Sequence, residues 1–526
     1  MNTGFRIGLL VGLLLAAPLV STLYLLNMTL GMPFTPFDLF DALVRILPGA
    51  VVSFGIDSIV RVLMFLGLSL SASSKTAEQI QAIGIFLSIC AFAAGAFFAA
   101  LRGRRSQVVV PGVVLGIAMA LPMAALSGHL VWTIIALTVW GIAVSGTRYH
   151  IVGWSPVAEA PSTGSEQGRS FASVESVDRR RFLVNLGGAT ASITVVGAVV
   201  AALLRTSSSK AVVHATSEVE LPDRAGAIEP APGTRLEYTP VADHYRIDIN
   251  LRPMKIDAET WRLPITGMVE RPLNLTLQDF RNFAEQKNLF VTLACISNPL
   301  GGDLIGTTRW SGVSVRRVLR DAGVREQARF LKLTADDGFY ETVPLDLINS
   351  DERVMFTYLW DGKPLTTEHG FPLRIYIPDR YGMKQPKWII KAELIERDEP
   401  GYWVVRGWDK TAQMKATSVI DTVAVESSIE KDGQRLVPIG GIAHAGARGI
   451  SRVEIQIDAG SWAPAVLQPP LSGLTWVIWR YDWPFQPGRH VFRVRCFDGA
   501  GVAQIQTPAE PHPSGASGIF SLRRTV

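Results

Sequence analysis

Leu289-Phe290-Val291-Thr292-Leu293, followed by Ala294-Cys295-Ile296-Ser297-Asn298-Pro299-Leu300-Gly301-Gly302-Asp303, is the stretch on which the fold turns. Its first five residues are apolar or β-branched and read as a buried strand. From Ser297 to Asp303 the proline and paired glycines forbid a helix. A strand therefore delivers Cys295 to the rim of a glycine-rich loop, where a ligand can approach the backbone closely. A soft thiolate in that place suits a metal or nucleophilic catalysis, and a structural cysteine is the plainer alternative. His369 is available for a papain-like pair, but nothing in the local sequence specifies one. Cys90 lies in an apolar run and Cys496 alternates with Val494 and Phe492, so both read as packing residues. With three scattered cysteines, the sequence predicts no disulfide framework, no four-cysteine iron–sulfur site and no C-x-x-C-H haem attachment.

Outward from this stretch the pattern is that of an α+β domain with a mixed sheet. Trp261–Gly267, Phe330–Thr334, Val354–Leu359 and Leu373–Ile377 read as strands, Leu277–Gln286 and Val315–Ala322 as helices, the latter ended by Gly323. From about residue 415 alternation takes over: Val453, Ile455 and Ile457 against Arg452, Glu454 and Gln456, then Trp476–Tyr481 and Val491–Phe497. Turns such as Asp498-Gly499-Ala500-Gly501 separate these runs, and an immunoglobulin-like sandwich over 413–526 fits them.

Before about residue 205 the chain is apolar. Ile7–Met28 and Ile80–Leu101 are charge-free and long enough to span a bilayer. Ser106–Thr147 is charge-free and broken near Ser127-Gly128-His129, which reads as two spans. Residues 38–71 carry Asp38, Asp41, Arg45, Asp57 and Arg61; Asp57 and Arg61 are spaced to pair on one helix face, as in a span whose polar face packs inside a bundle. His129 and His150 lie at opposite ends of one apolar run and cannot face each other across a haem, so the bundle reads as an anchor or docking platform. Arginines cluster at 102–105 and 179–181, a topology signal that places both in the cytoplasm and everything after Leu204 outside it. Asp178-Arg179-Arg180-Arg181-Phe182-Leu183 opens a moderately apolar run, read equally as a twin-arginine export signal or as an ordinary transmembrane helix. The expected order is a transmembrane region over 1–150, a cytoplasmic linker over 151–178, this helix over 179–204, a linker over 205–238 and a catalytic domain over 239–412. The net charge of +5 is small for 526 residues, and no basic stripe interleaved with aromatics points to nucleic acid.

Thr292-Leu293-Ala294-Cys295-Ile296-Ser297-Asn298, then Arg309-Trp310-Ser311-Gly312-Val313, Glu368-His369-Gly370-Phe371-Pro372-Leu373-Arg374 and Tyr381-Gly382-Met383-Lys384-Gln385-Pro386-Lys387-Trp388, resemble in order and type the segments of the sulfite oxidase family of molybdopterin enzymes. Tyr245-Arg246-Ile247-Asp248 is similar to that family's opening segment. The resemblance implies a molybdenum–pterin cofactor, with Cys295 as metal ligand. It implies cofactor contacts from Tyr245, Arg246, Asn298, His369, Arg374, Gly382, Met383, Lys384 and Lys387, and catalytic roles for Tyr381 and Arg309. Taken one at a time, Lys387 reads as a solvated surface charge, and Tyr381 and Trp310 as packing or as lining of a substrate funnel. The resemblance further implies a homodimer through the C-terminal domain and a small oxo-anion or oxide as substrate; with no haem or iron–sulfur motif in the sequence, the expected redox partner is a separate cytochrome or quinone-linked protein. Animal and plant sulfite oxidases continue with an arginine pair where this chain has Pro299-Leu300-Gly301-Gly302, which leaves a sulfoxide-type reductase as open as a sulfite-type dehydrogenase. The other alternative is a membrane-anchored binding module that has lost the metal.

Overall fold

A computed structural model describes residues 3–101, 107–127, 129–153, 184–192, 194–195 and 219–526. Of the linker expected over 151–178, residues 151–153 belong to the last turn of a helix, and the rest lies outside the described residues, as do the arginines at 102–105 and 179–181. The chain forms two compact units. One holds residues up to Leu47 and those from Thr76 to the last apolar helices; the other holds Pro48–Lys75 and the chain from 219 onward.

The first unit is helical: α1 (Thr3–Leu30), α2 (Thr35–Ile46), most of α4 (Leu70–Ala100), α5 (Val109–Ser127) and α6 (Leu130–Gly153). Four helices among the described residues, α1, α4, α5 and α6, are long and apolar enough to cross a membrane. Small residues let them touch. A Cβ on Gly8 would lie 2.6 Å from the Ala94 carbonyl oxygen, and one on Gly116 2.4 Å from the Thr138 Cα, so α1 meets α4 and α5 meets α6 backbone to backbone. Cys90 is buried on the face of α4 that Gly12 approaches.

Residues 38–71 do not form the single polar-faced span expected of them. Leu47-Pro48 separates α2 from α3 (Gly49–Phe65), because a proline lacks the N–H that would continue the helix. The α3 helix clusters with the second unit, and Arg61 donates to the Asp57 backbone carbonyl at 3.3 Å.

Up to residue 416 the second unit is built on two five-stranded sheets. The first runs β2 (Leu273–Leu275), β1 (Leu263–Gly267), β10 (Ile389–Ile395), β5 (Phe330–Ala335), β6 (Tyr340–Pro344), with β1 and β10 parallel and the other pairs antiparallel. The other runs β3 (Gln286–Ala294), β4 (Ile305–Ser314), β7 (Met355–Trp360), β8 (Lys363–Pro364), with β9 (Arg374–Tyr376) also on β7. Between them Leu263, Ile265, Phe280, Val313, Leu331, Phe356, Ile375 and Ile389 form one core. The strict alternation of Phe330–Ala335 supplies one face of it. The helix Val315–Ala322 buries Val315, Val318, Leu319 and Ala322, the spacing of one helical face, and stops at Gly323 with φ +69°. The helix expected to reach Gln286 ends at Asn282. The Gln286 amide turns back to the Phe280 and Phe283 carbonyls at 3.1 and 2.7 Å, and its backbone has already entered β3.

Beyond residue 416 two further sheets face each other. One is β11 (Thr417–Val423), β13 (Gln434–His444), β17 (Val477–Pro484) and β16 (Val466–Leu467), with β12 (Ile429–Lys431) on β13; the second is β15 (Ala463–Pro464), β14 (Ile450–Ile457), β18 (Arg489–Asp498) and β19 (Phe520–Thr525). Ile420, Val437, Val453, Trp479, Phe492, Val494 and Cys496 share their core. This half docks directly on the strand leading to Cys295: Thr292 N–H donates to the Leu474 carbonyl at 3.0 Å, and Trp476 N–H to Thr292 Oγ1 at 2.8 Å.

Candidate active site

Cys295 follows the last residue of β3 and is buried. Its loop is closed by two hydrogen bonds, Cys295 N–H to the Leu304 carbonyl at 2.9 Å and Leu304 N–H to Asn298 Oδ1 at 3.0 Å. Asn298, expected to contact cofactor, thus spends its carbonyl oxygen on clamping the loop. Gly302 is required beneath it, since a Cβ there would lie 2.4 Å from that oxygen. The thiol lies 3.0 Å from Ser297 Oγ. Burial pushes its pKa up and the Ser297 hydroxyl opposes the shift, so the protein surroundings favour a thiol and a cation would hold the thiolate.

Beside it stands a group of buried polar and aromatic side chains. His244 stacks on Tyr245 with ring centroids 5.0 Å apart and lies 4.8 Å from Trp360 and 5.6 Å from His369. Only glycine at 306 admits the His244 ring, which a Cβ would meet at 2.7 Å. Burial holds both histidines neutral: His244 is lowered to about 3, and His369, which also feels His244, Lys387, Arg374 and Arg246, is well below its ordinary value. The Arg374 guanidinium lies over the Trp310 ring, 4.6 Å from the centroid, and donates to the His369 carbonyl at 3.1 Å. Trp310 is fully buried and serves as this platform. Arg374 and Tyr245 are close enough to influence each other, as are Tyr245 and Cys295.

Lys387 is not the solvated charge its sequence context suggests. Its ammonium is withdrawn from water and lies 3.1 Å from the Asp248 carboxylate, over the Trp388 ring. Asp248 also takes Arg246 at 2.8 Å and Lys75 at 3.3 Å. Burial alone would raise its pKa; Lys387, Lys75 and Arg246 outweigh burial and hold it well below the carboxylate range. Burial depresses the cations instead, Lys387 to about 8 and Arg374 to about 10. Lys75, Arg246 and Lys387 share one carboxylate here, so the cluster is short of negative charge.

Two expected residues are elsewhere. Lys384 pairs with the buried Glu341 at 2.6 Å, which neutralises it. The Arg309 backbone N–H donates to Asp361, and its guanidinium lies near Gly362, in the turn between β7 and β8. His369 has His244 and Trp360 as its ring neighbours, while the thiol of Cys295 contacts Ser297, so no thiol–imidazole pair forms between them. Gly382 and Met383 follow Tyr381 in a short 3-10 turn, with Gly382 against Tyr245 and Ala294.

Tyr381 is buried within electrostatic reach of Cys295, and burial raises its phenol to about 12. It lines a cavity with Ala294, Asn298, Arg235, Lys415 and His444. His444 is wholly buried, lowered to about 3 by burial and Arg448, and its Nε2 has no partner among the described residues. Sequence reasoning missed His244, Lys415 and His444. His244 adjoins the motif at 245–248, and that adjacency is its signal in the sequence; Lys415 and His444 have no local signal.

These residues fit an anionic pterin carrying a metal. The cluster holds surplus buried positive charge, and Arg374 Nε and His244 Nε2 have no hydrogen-bond partner among the described residues. Among the described residues no three His, Cys, Asp or Glu side chains converge on a metal position, so Cys295 would share the metal with ligands that the cofactor brings.

The family profile described as "Oxidoreductase molybdopterin binding domain" matches residues 250–403. The uncharacterized oxidoreductase YuiH of Bacillus subtilis is 32% identical over 158 residues, 30% of this chain and 76% of YuiH. This chain belongs to the sulfite oxidase family of molybdopterin oxidoreductases. As a member of that family it is a molybdenum oxidoreductase. The mitochondrial sulfite oxidase of Macaca fascicularis is 27% identical over 286 residues, 46% of this chain and 52% of that protein; the chain thus spans about half the length of that sulfite oxidase. Among solved structures, the sulfane dehydrogenase SoxCD of Paracoccus pantotrophus gives a TM-score of 0.49 at 19% identity, over 60% of this chain and 90% of that one.

Proposed function

We propose that this sulfite oxidase family member is a membrane-anchored enzyme that transfers an oxygen atom in a two-electron reaction outside the cytoplasm. The observation that carries this reading is the excess of buried cations beside a buried thiol at a strand end. When bound, the molybdenum–pterin group supplies the oxygen-atom and electron chemistry. Cys295 holds the metal. Arg374, Arg246 and Lys387 bind the anionic phosphate of the pterin, and the neutral His244 and His369 hydrogen-bond its polar edges. Tyr381, Lys415 and His444 face the substrate.

The cavity argues for an oxide of low charge over a dianion such as sulfite. Arg235 is taken by Asp421 at 2.6 Å, Lys415 donates to the Gly515 carbonyl at 2.5 Å, and His444 is neutral. Together with Pro299-Leu300-Gly301-Gly302 in place of an arginine pair, this favours sulfoxide-type reduction. The names of the matched sulfite oxidases favour the opposite direction. A screen with a dye donor and a dye acceptor decides: turnover of sulfoxides or N-oxides with reduced dye supports the reading, and turnover of sulfite alone overturns the choice of substrate.

The arginine-rich flanks at 102–105 and 179–181 support a location outside the cytoplasm for the chain after residue 204. Electrons come from a separate cytochrome or quinone-linked protein. The paired sheets beyond residue 416 act as an immunoglobulin-like dimerisation module.

A further inference from the structure

The span expected at 80–101 belongs to a longer helix. The α4 helix begins at Leu70, ten residues earlier, with the polar stretch Leu70-Ser71-Ala72-Ser73-Ser74-Lys75. About 20 residues suffice to cross a bilayer, and α4 has 31. Its polar first turns therefore stand apart from the apolar run, and they cluster with the catalytic unit.

Two contacts show what they do there. Asp303 caps the helix from outside: Oδ1 accepts the Leu70 and Ser71 N–H groups, both at 3.1 Å, and Oδ2 accepts the Ser69 and Ser71 hydroxyls at 2.6 and 2.9 Å. A carboxylate at a helix N-terminus satisfies orphan N–H groups and meets the positive end of the dipole. Asp303 immediately precedes Leu304, whose carbonyl holds the Cys295 N–H. The cap therefore fixes the far end of the loop that carries the proposed metal ligand.

One turn on from Ser71, on the same face, Lys75 donates to the Asp248 and Asn250 carbonyls at 2.8 and 3.2 Å and lies 3.3 Å from the Asp248 carboxylate. Asp248 is the only carboxylate among the described residues that Arg246 and Lys387 pair with. By satisfying that carboxylate, Lys75 leaves more of the Arg246 and Lys387 charge to face an anion.

We propose that Ser69–Lys75 is a positioning element of the cofactor site, with Asp303 locking the Cys295 loop to it and Lys75 tuning the Asp248 cluster toward the cofactor phosphate. The same helix that carries an apolar span thus completes the site. This inference rests on the molybdenum–pterin reading above.

The test uses the full chain purified in detergent from a host that makes the cofactor. Pterin release on dialysis is followed by pterin fluorescence, and the thermal unfolding of cofactor-free protein is measured alongside. Lys75→Met is expected to speed release about tenfold, and Lys75→Arg to remain within about twofold of the parent, since it keeps the charge. Asp303→Ala is expected to speed release severalfold. Parent-like release in both Lys75→Met and Asp303→Ala overturns the proposal. So does faster release of Lys75→Met matched by an equal loss of stability in the cofactor-free protein, which marks a purely structural contact. A parent chain without pterin sinks the molybdenum reading itself and this inference with it, an outcome told apart because it appears before any substitution is made.

Discussion

Lys387 Nζ lies 3.1 Å from Asp248 Oδ2, with both side chains withdrawn from water. Arg246 and Lys75 converge on the same carboxylate. A buried charge left without its partner is costly, and here one anion holds three cations. Asp248→Asn is therefore expected to destabilise the cofactor-free protein by about 3–5 kcal/mol, lowering the thermal midpoint by roughly 5–10 °C. A thermal shift assay in detergent measures this, and an unchanged midpoint contradicts the ion-pair account.

Lys387 gives the site a pH dependence. Burial lowers it to about 8 in the cofactor-free protein, although Asp248 pulls it back up, and Arg374 and Arg246 push it further down. The unfolded chain keeps its lysines charged to about 10.4. Between these values the unfolded state binds more protons, so Lys387 penalises the cofactor-free fold below pH 8 and the penalty fades as pH rises. An anionic cofactor reverses the preference, because it binds best to the charged lysine. Pterin release is thus expected to accelerate above pH 8 in the parent and to stay flat through that range in Lys387→Arg. Identical profiles for the two would remove Lys387 from the anion site.

Arg374 tests the stacked geometry. Its guanidinium spreads over Trp310 and leaves Nε without a partner among the described residues. A lysine keeps the charge and loses the plane. Arg374→Lys should weaken cofactor binding roughly 10- to 100-fold, the about 1.5–3 kcal/mol of a charged hydrogen bond. Equilibrium dialysis of released pterin gives the number, and full retention argues against a phosphate contact.

Asn298 separates a clamp from a ligand. Its Oδ1 is occupied by the Leu304 N–H. Asn298→Asp keeps the acceptor and should preserve pterin content and turnover within severalfold. Asn298→Ala strands a backbone N–H at a cost of about 1–3 kcal/mol and should lower turnover more than cofactor content. Equal damage from both substitutions would show that the amide nitrogen is what matters.

Strand alternation and the glycine-rich loop made Cys295, β3, β5, β7 and, in the second half, β14, β17 and β18 legible, because local periodicity reports burial. The motif order also brought Tyr245, Arg246, His369, Arg374 and Lys387 into one region, where the structure gathers them. What each charge does was not legible. Lys384 finds Glu341 across 43 residues and Lys75 finds Asp248 across 173, and no local pattern encodes such pairings. Arg309 sits beside a conspicuous tryptophan, yet strand alternation sends the two to different surroundings, Trp310 to the platform under Arg374 and Arg309 toward Gly362. The start of α4 was hidden because hydropathy marks the apolar core of a span and is silent on a polar extension.

The central claim is that Cys295 ties molybdenum to this chain through a pterin cofactor. Metal analysis of the purified full chain, beside Cys295→Ser, tests it most directly. The account predicts about one molybdenum with pterin per parent chain, and in Cys295→Ser a loss of turnover with pterin partly retained. A parent chain with no molybdenum, or a fully active Cys295→Ser enzyme, would contradict it.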